Sequence, residues 1–264
     1  MAKRRVGTAS TEQVFDPGKA NPKQLEFFAA TEPRVCYGGA KGGGKTWAVR
    51  VKAVLGAMIG YPGIRILIMR AHYPELEENH IRPICAMVPA NMASYNSTTK
   101  IMSFQNGSYI KFGHWTGEES ELEYNGKEYD WIFIDEATQF SERAYNFLCG
   151  CLRGTTKIPR RMYLTCNPGG IGHNWVKRLF ISREYITNAE NPEENENPDD
   201  YRFIFATAED NLVMVENSPG YLQSVAKMPN AKAYRYGDWD AIGGNYFKDF
   251  SRKKHTMAPF HIPE

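Results

Sequence analysis

Apolar residues along this chain gather into short runs separated by glycine, proline and polar residues. The runs lie at 35–37 (Val-Cys-Tyr), 64–69 (Ile-Arg-Ile-Leu-Ile-Met), 131–134 (Trp-Ile-Phe-Ile), 161–165 (Arg-Met-Tyr-Leu-Thr) and 201–206 (Tyr-Arg-Phe-Ile-Phe-Ala). The near-continuous run at 64–69 predicts a strand buried on both faces, as in a parallel sheet. Between the first two runs, Trp47-Ala48-Val49 with residues 51–59 predicts a helix, and Tyr61-Pro62-Gly63 a turn. Upstream, Asn21-Pro22-Lys23-Gln24 opens a short helix carrying Leu25, Phe27 and Phe28. Residues 101–104 and 109–112 flank Gln105-Asn106-Gly107-Ser108, a β-hairpin signal because Asn-Gly supports the positive φ of a tight turn. Residues 188–200, rich in Asn, Glu, Asp and Pro, predict a mobile surface loop. No internal repeat is present. Strands alternating with helices argue for a three-layer α/β domain around a mostly parallel sheet.

In such sheets ligands sit beyond the strand C-termini, and there the chemically informative residues fall. Residues 39–46, Gly39-Ala40-Lys41-Gly42-Gly43-Gly44-Lys45-Thr46, match the phosphate-cradling pattern G-x-x-x-x-G-K-[ST] between a predicted strand and a predicted helix. The glycines turn backbone N–H groups inward and the helix N-terminus favours an anion. In this reading Lys45 reaches the β- and γ-phosphates of a nucleoside triphosphate and the Thr46 hydroxyl holds Mg²⁺. Asp135 ends the run at 131–134; alone it reads by default as a turn residue, but paired with the glycine-rich loop, a carboxylate leaving a buried strand can orient the same ion. Glu136 beside it can take a proton from an attacking water, or simply open the next helix favourably. Asn167, in Thr165-Cys166-Asn167-Pro168-Gly169-Gly170, would lie near the γ-phosphate; the competing reading is a strand-ending Asn-Pro turn. Gln24 could pair with a donor and an acceptor on adenine, or merely face solvent. Arg153, with Arg143 as runner-up, could reach a neighbouring subunit's site, and Lys41 could act in cis; each also reads as a solvated charge.

Composition narrows the class further. Lys and Arg total 32 and Asp and Glu 30, a formal charge of +2 that neither announces nor excludes a nucleic-acid stripe. No apolar run approaches the ~18 residues of a membrane span, and the N-terminus lacks the apolar stretch of a secretory signal. The five cysteines show no paired C-x-x-C spacing, which fits reduced, mostly buried thiols in a cytoplasm.

Taken in order, Asn21-Pro22-Lys23-Gln24, the glycine-rich loop, residues 129–137 (Tyr-Asp-Trp-Ile-Phe-Ile-Asp-Glu-Ala) and Thr165-Cys166-Asn167-Pro168 resemble large terminase subunits of tailed bacteriophages. His173-Asn174-Trp175-Val176, Asp210-Asn211 and Gly237-Asp238-Trp239-Asp240 agree, so the resemblance covers residues 20–250. It implies a RecA-like P-loop fold of the additional-strand, catalytic-glutamate type with a small lid. It also implies a motor that uses ATP to thread double-stranded DNA into a procapsid. On this resemblance Gln24 reads adenine, Glu136 is the catalytic base, Asn167 couples hydrolysis to movement, and Arg153 is a finger in trans. Many relatives carry arginine where this chain has Lys41, and lysine lacks the planar fork. Expected partners are double-stranded DNA, a ring of identical subunits on a capsid portal, and the small terminase subunit, with no membrane. The implied division is an N-terminal arm (1–20), an ATPase core (21–184), a lid (185–240) and a linker (241–264). Relatives continue into a nuclease domain, so no DNA cleavage is expected from this chain. A P-loop kinase is disfavoured by Glu136; a helicase-like remodeller and a nucleotide-gated assembly module with little hydrolysis remain as alternatives.

Overall fold

In the computed structural model, which describes residues 15–242, the apolar runs become strands whose alternate residues face opposite sides. The strands are β1 (Arg34–Gly39), β2 (Arg65–Arg70), β3 (Ala93–Asn96), β4 (Ile101–Phe104), β5 (Tyr109–His114), β6 (Trp131–Ile134), β7 (Arg161–Cys166) and β8 (Tyr201–Ala206). They form one sheet in the order β3-β4-β5-β2-β6-β7-β1-β8. From β5 to β8 every pairing is parallel, while β3 and β4 extend the sheet antiparallel. The predicted hairpin is β4 and β5, with Met102 opposite Ile110.

Two buried clusters sit on the two faces. On β2, Ile66 and Ile68 enter one, and Leu67 and Met69 the other. The first cluster is covered by α1 (Pro22–Ala29), α2 (Lys45–Leu55), α3 (Tyr73–Leu76) and α4 (Arg82–Met87). The second is covered by α5 (Glu118–Tyr124), α6 (Glu142–Gly150) and α7 (His173–Val176). The three-layer architecture is therefore as the alternation predicted. At the centre of the first cluster Tyr163 stacks on Phe133 with centroids 4.9 Å apart, and Trp131 meets Tyr163 edge-on at 5.4 Å. Each such fully buried side chain contributes roughly 1.5–3 kcal/mol by leaving water.

Three features differ from, or add to, the sequence reading. The helix after the glycine-rich loop is regular only to Leu55 and finishes in a wider turn, Gly56–Gly60, where Gly56 lies against the Trp131 ring. Strand β3 carries too few apolar residues to announce itself and exists by pairing with β4. Strand β8 pairs with β1 along its length, so this part of the segment expected as a lid lies within the sheet. Beyond it α8 (Leu212–Asn217), α9 (Tyr221–Ala226) and α10 (Ala231–Tyr236) fold against the glycine-rich loop. The polar stretch 188–200 is a surface segment with two short turns. It is tied down where Glu196 accepts from the Ile186 N–H at 2.8 Å and from Arg178 at 2.6 and 2.9 Å. Of the expected arm (1–20) and linker (241–264), residues 1–14 and 243–264 lie outside the described residues.

Register then determines what meets at the strand ends. Met69 pairs with Ile134, Ile134 with Leu164, and Gly38 with Cys166. Arg70, Asp135, residues 165–167 and Gly39 thus emerge side by side along one edge.

Candidate nucleotide site

The loop between β1 and α2 is held open from several sides. Ala40 N–H donates to Ala206 O at 2.9 Å, Lys41 N–H to Tyr234 O at 2.8 Å, and the Asn211 amide to Gly42 O at 2.8 Å. Tyr37 OH donates to Gly43 O at 2.9 Å, and Gln24 Nε2 to Gly44 O at 3.1 Å. Gly44 caps α2 with φ +75°, and a Cβ there would run into the Gln24 amide; only glycine fits both demands. Gly42, at φ +87°, is likewise closed in by Tyr221 and Met214. The resulting cavity of about 290 Å³ is lined by Lys41, Lys45, Thr46, Glu136, Asn167 and Tyr221 together with the glycines.

Lys45 is 6% exposed, and its ammonium donates to Ala40 O at 2.5 Å and Asn167 Oδ1 at 2.9 Å. Burial pushes its pKa down, against the pull of Glu136 and Asp135. An arriving polyanion would favour its charged form. The other end of the Asn167 amide donates to both Glu136 oxygens, at 3.0 and 3.1 Å. One side chain therefore joins the lysine to the glutamate, and Thr138 fixes its backbone by donating to Asn167 O at 3.0 Å. Glu136 itself sits at φ 60°, ψ 55°, a left-handed conformation that costs a non-glycine residue about 1–3 kcal/mol. It is held there by its N–H donating to Thr165 Oγ1 at 3.0 Å.

Asp135 is fully buried, and four side chains satisfy it. Thr165 Oγ1 donates to Oδ1 at 2.5 Å, Arg70 Nε to Oδ2 at 2.9 Å and His80 Nε2 to Oδ2 at 2.8 Å, while Thr46 Oγ1 lies 3.3 and 3.4 Å from the two oxygens. Burial alone would raise this carboxyl, but His80, Arg70 and Thr165 together hold it well below the usual carboxylate range. His80 is pushed down by burial, helped by Arg70 and Arg50 and opposed by Asp135, and facing a carboxylate, which only accepts, its Nε2 carries the bonding hydrogen. A hydroxyl and a carboxylate in contact are the hard oxygen donors that Mg²⁺ takes, commonly with waters completing its octahedron. The pair at Thr46 and Asp135 fits that ion.

Gly39, Ala40, Lys41, Gly42, Gly43, Gly44, Lys45, Thr46, Asp135, Glu136 and Asn167 are thus gathered in one place, as the strand-end argument expected. Gln24 joins them from α1 but is 5% exposed, with Oε1 accepting the Asn21 N–H at 2.8 Å. One lone pair and one N–H of its amide remain uncommitted by these two bonds. The Lys41 ammonium lies over the Tyr234 ring, 4.0 Å from the centroid. Arg153 is elsewhere: its carbonyl accepts from Arg65 at 3.3 Å, and its side chain, 54% exposed, approaches Glu128 at 3.9 Å, at the opposite edge of the sheet. It does not belong to this chain's own site. Arg143 makes a two-point pair with Glu121 at 2.8 and 3.0 Å. Sequence reasoning passed over Arg70 and His80, although Arg70 follows an apolar run in the same way as Asp135. His80 left no comparable signal.

A parallel sheet with a glycine-rich turn on a helix N-terminus and a buried aspartate facing its Ser/Thr position defines a P-loop nucleotide-binding protein. The profile of the phage terminase large subunit family matches residues 31–238, and the chain belongs to that family. Among solved structures it is similar to the large terminase of a thermophilic bacteriophage, at 17% identity and TM-score 0.65 over 84% of this chain and 54% of that one. The same terminase in complex with ADP gives 18% identity and TM-score 0.66, over 83% and 54%. The ATPase domain of the Thermus phage P74-26 large terminase gives 17% and 0.54, over 83% and 93%. The chain spans about half the length of the thermophilic phage terminase. No curated protein sequence matches it. Among the described residues, no helix is long and apolar enough to cross a membrane.

Proposed function

We propose that this chain is the ATP-hydrolysing motor domain of a DNA-packaging terminase, coupling ATP hydrolysis to movement of double-stranded DNA into a procapsid. The observation that carries this reading is the Asn167 amide, joined at one end to Lys45 and at the other to Glu136. Similar structures support the nucleotide: the thermophilic phage terminase has been solved with ATP-gamma-S and with ADP. In the proposed mechanism the glycine-rich loop and Lys45 receive the triphosphate. Mg²⁺, held by Thr46 and Asp135, would neutralise phosphate charge. Glu136 takes a proton from the attacking water. To reach a γ-phosphate, Lys45 must exchange its Ala40 and Asn167 acceptors. That exchange frees Asn167 and makes its amide a sensor of the phosphate. Gln24 reads adenine with its remaining N–H and lone pair.

In this reading the core runs from residue 21 through β8, and residues 207–240, which carry α8–α10, act as the lid. Support for the lid is the grip of Asn211, Tyr221 and Tyr234 on residues 41 and 42. Arg153 would complete a neighbour's site in a portal-bound ring, with the small subunit and duplex DNA as further partners in the host cytoplasm. The test is Glu136→Gln, which keeps the side chain's shape and removes the base. ATP binding should persist while Mg²⁺-dependent turnover falls by roughly 10²–10⁴-fold. Unchanged turnover would reject the motor chemistry and favour a nucleotide-gated assembly module.

A further inference from the structure

Just past Asn167 the chain forms a tight loop, residues 167–172, pinned by Gly172 N–H donating to Thr138 O at 2.8 Å and His173 N–H to Gly170 O at 3.2 Å. The loop's Gly169 N–H donates to His173 Nδ1 at 3.0 Å. An imidazole accepting at Nδ1 keeps its proton on Nε2, leaving a second contact available. The same ring lies 5.1 Å from the Trp239 ring, tilted 36° to it. Burial, with Lys177 nearby, keeps His173 below its ordinary pKa, which suits the accepting role.

Trp239 belongs to the segment 237–242 that follows α10. Its ring is 6% exposed, and the neighbouring Asp240 pairs with Lys177 on the turn after α7. Segment and loop face each other across a cavity of about 290 Å³, and a Cβ on Gly169 would come within 2.9 Å of Ile242 Cδ1. The His173 ring thus touches both, accepting from the loop at Gly169 and packing on Trp239. The loop it grips starts at the residue that bridges Lys45 and Glu136.

We infer that His173 is a positioning residue that passes the state of the Asn167 loop to the segment 237–242. Gain or loss of the γ-phosphate at Asn167 then shifts Trp239 as well as the loop. This rests on the sensor reading of Asn167. It goes beyond that reading by naming the residue that carries the signal out and the segment that receives it.

Hydrogen exchange on the full chain with Mg²⁺ and either ATP-gamma-S or ADP tests the inference. In the unmodified protein, amides in 167–172 and in 237–242 should both change protection between the two nucleotides. In His173→Ala the change at 167–172 should persist while that at 237–242 is lost. His173→Asn keeps an acceptor near the Nδ1 position but falls short of Trp239. It should restore protection at 167–172 and still leave 237–242 unresponsive, which a purely structural role for the ring would not produce. The Asn variant also serves if the Ala variant fails to fold. A folded variant of either kind in which 237–242 responds as in the unmodified protein overturns the inference. If the unmodified protein changes at 167–172 but not at 237–242, the inference alone falls. If it changes at neither, the sensor role of Asn167 falls with it.

Discussion

Replacing Arg70 with methionine isolates what holds the buried aspartate of the site. The substitution removes the Nε bond to Asp135 at 2.9 Å, the Nη1 bond to Glu75 at 2.7 Å and the 3.9 Å approach of Nη2 to Glu136, while leaving an apolar stem of similar reach. Arg70 is 7% exposed and Asp135 not at all, so the carboxylate cannot recover its lost partner from bulk water. Removing one member of a buried pair costs about 3–5 kcal/mol. Because His80 and Thr165 still hydrogen-bond the carboxylate, the lower end, about 3 kcal/mol, is expected. For a chain of this size that lowers Tm by roughly 6–12 °C. The assay is thermal or urea denaturation without nucleotide and with EDTA, for the single variants Arg70→Met and Asp135→Asn and for the double variant. A coupling energy of about 2 kcal/mol is expected. The pH dependence has a definite sign. A carboxylate whose folded pKa is depressed contributes its stability above its ordinary range and loses it as pH falls through the folded value. The gap between wild type and Arg70→Met should therefore narrow below about pH 4. Additive single effects, within about 0.5 kcal/mol, would refute the argument.

Other consequences can be checked separately. Lys52, with its ammonium donating to Phe27 O at 2.9 Å and Phe28 O at 2.7 Å, is pushed down to about 7 by burial, with Arg161 adding and Glu32 opposing. The unfolded state then holds the extra proton between about pH 7 and 10.5, so stability should rise through that window by up to about 1.4 kcal/mol per unit. Lys52→Met should flatten the rise, and parallel curves for the two proteins would contradict it. Gln24→Ala should raise the KM for ATP and erode preference over GTP with kcat little changed; unaltered discrimination would assign Gln24 to loop support alone. If Arg153 acts in trans, turnover per subunit should rise with protein concentration, and Arg153→Ala should abolish that rise, at a cost of roughly 10³-fold. An Arg153→Ala protein with wild-type turnover would remove it as the finger.

How much of this was legible in the sequence follows from what kind of interaction made each part. Strands β1, β2, β6 and β7 were readable because both faces are buried, which forces unbroken apolar runs. The glycine-rich loop was readable because its backbone geometry admits few other residues. Strand β3 and helix α5 were missed because pairing and packing, rather than composition, create them. The division at 184/185 came with the family resemblance, whereas β8, which lies beyond it in the chain, pairs with β1 in the sheet. For the site, the structure brings Lys45, Thr46, Asp135, Glu136 and Asn167 together, while Arg153 lies apart. The residues that tune the group, Arg70 and His80, depend on which strands lie adjacent, and strand order is not written in any local pattern.

The two ends of β6 show why burial alone would have misled a search for the site. Asp130 and Asp135 flank the same four apolar residues, and both are fully buried. Asp130 accepts from the Arg65 backbone at 2.8 Å and from Thr156 Oγ1 at 3.1 Å, and it pairs with the Arg160 guanidinium at 2.9 Å and Arg65 Nε at 3.3 Å. Asp135 has an equally complete set of partners. The difference lies in position and in the next residue. Asp130 lies where the parallel strands begin, and its bonds to Arg65 and Arg160 tie β6 to the starts of β2 and β7. Asp135 lies where they end, opposite the start of α2, and is followed by a glutamate held in a left-handed conformation. A satisfied aspartate stabilises either edge. Only at the edge that collects helix N-termini and strand C-termini does the same residue have an anion to work on.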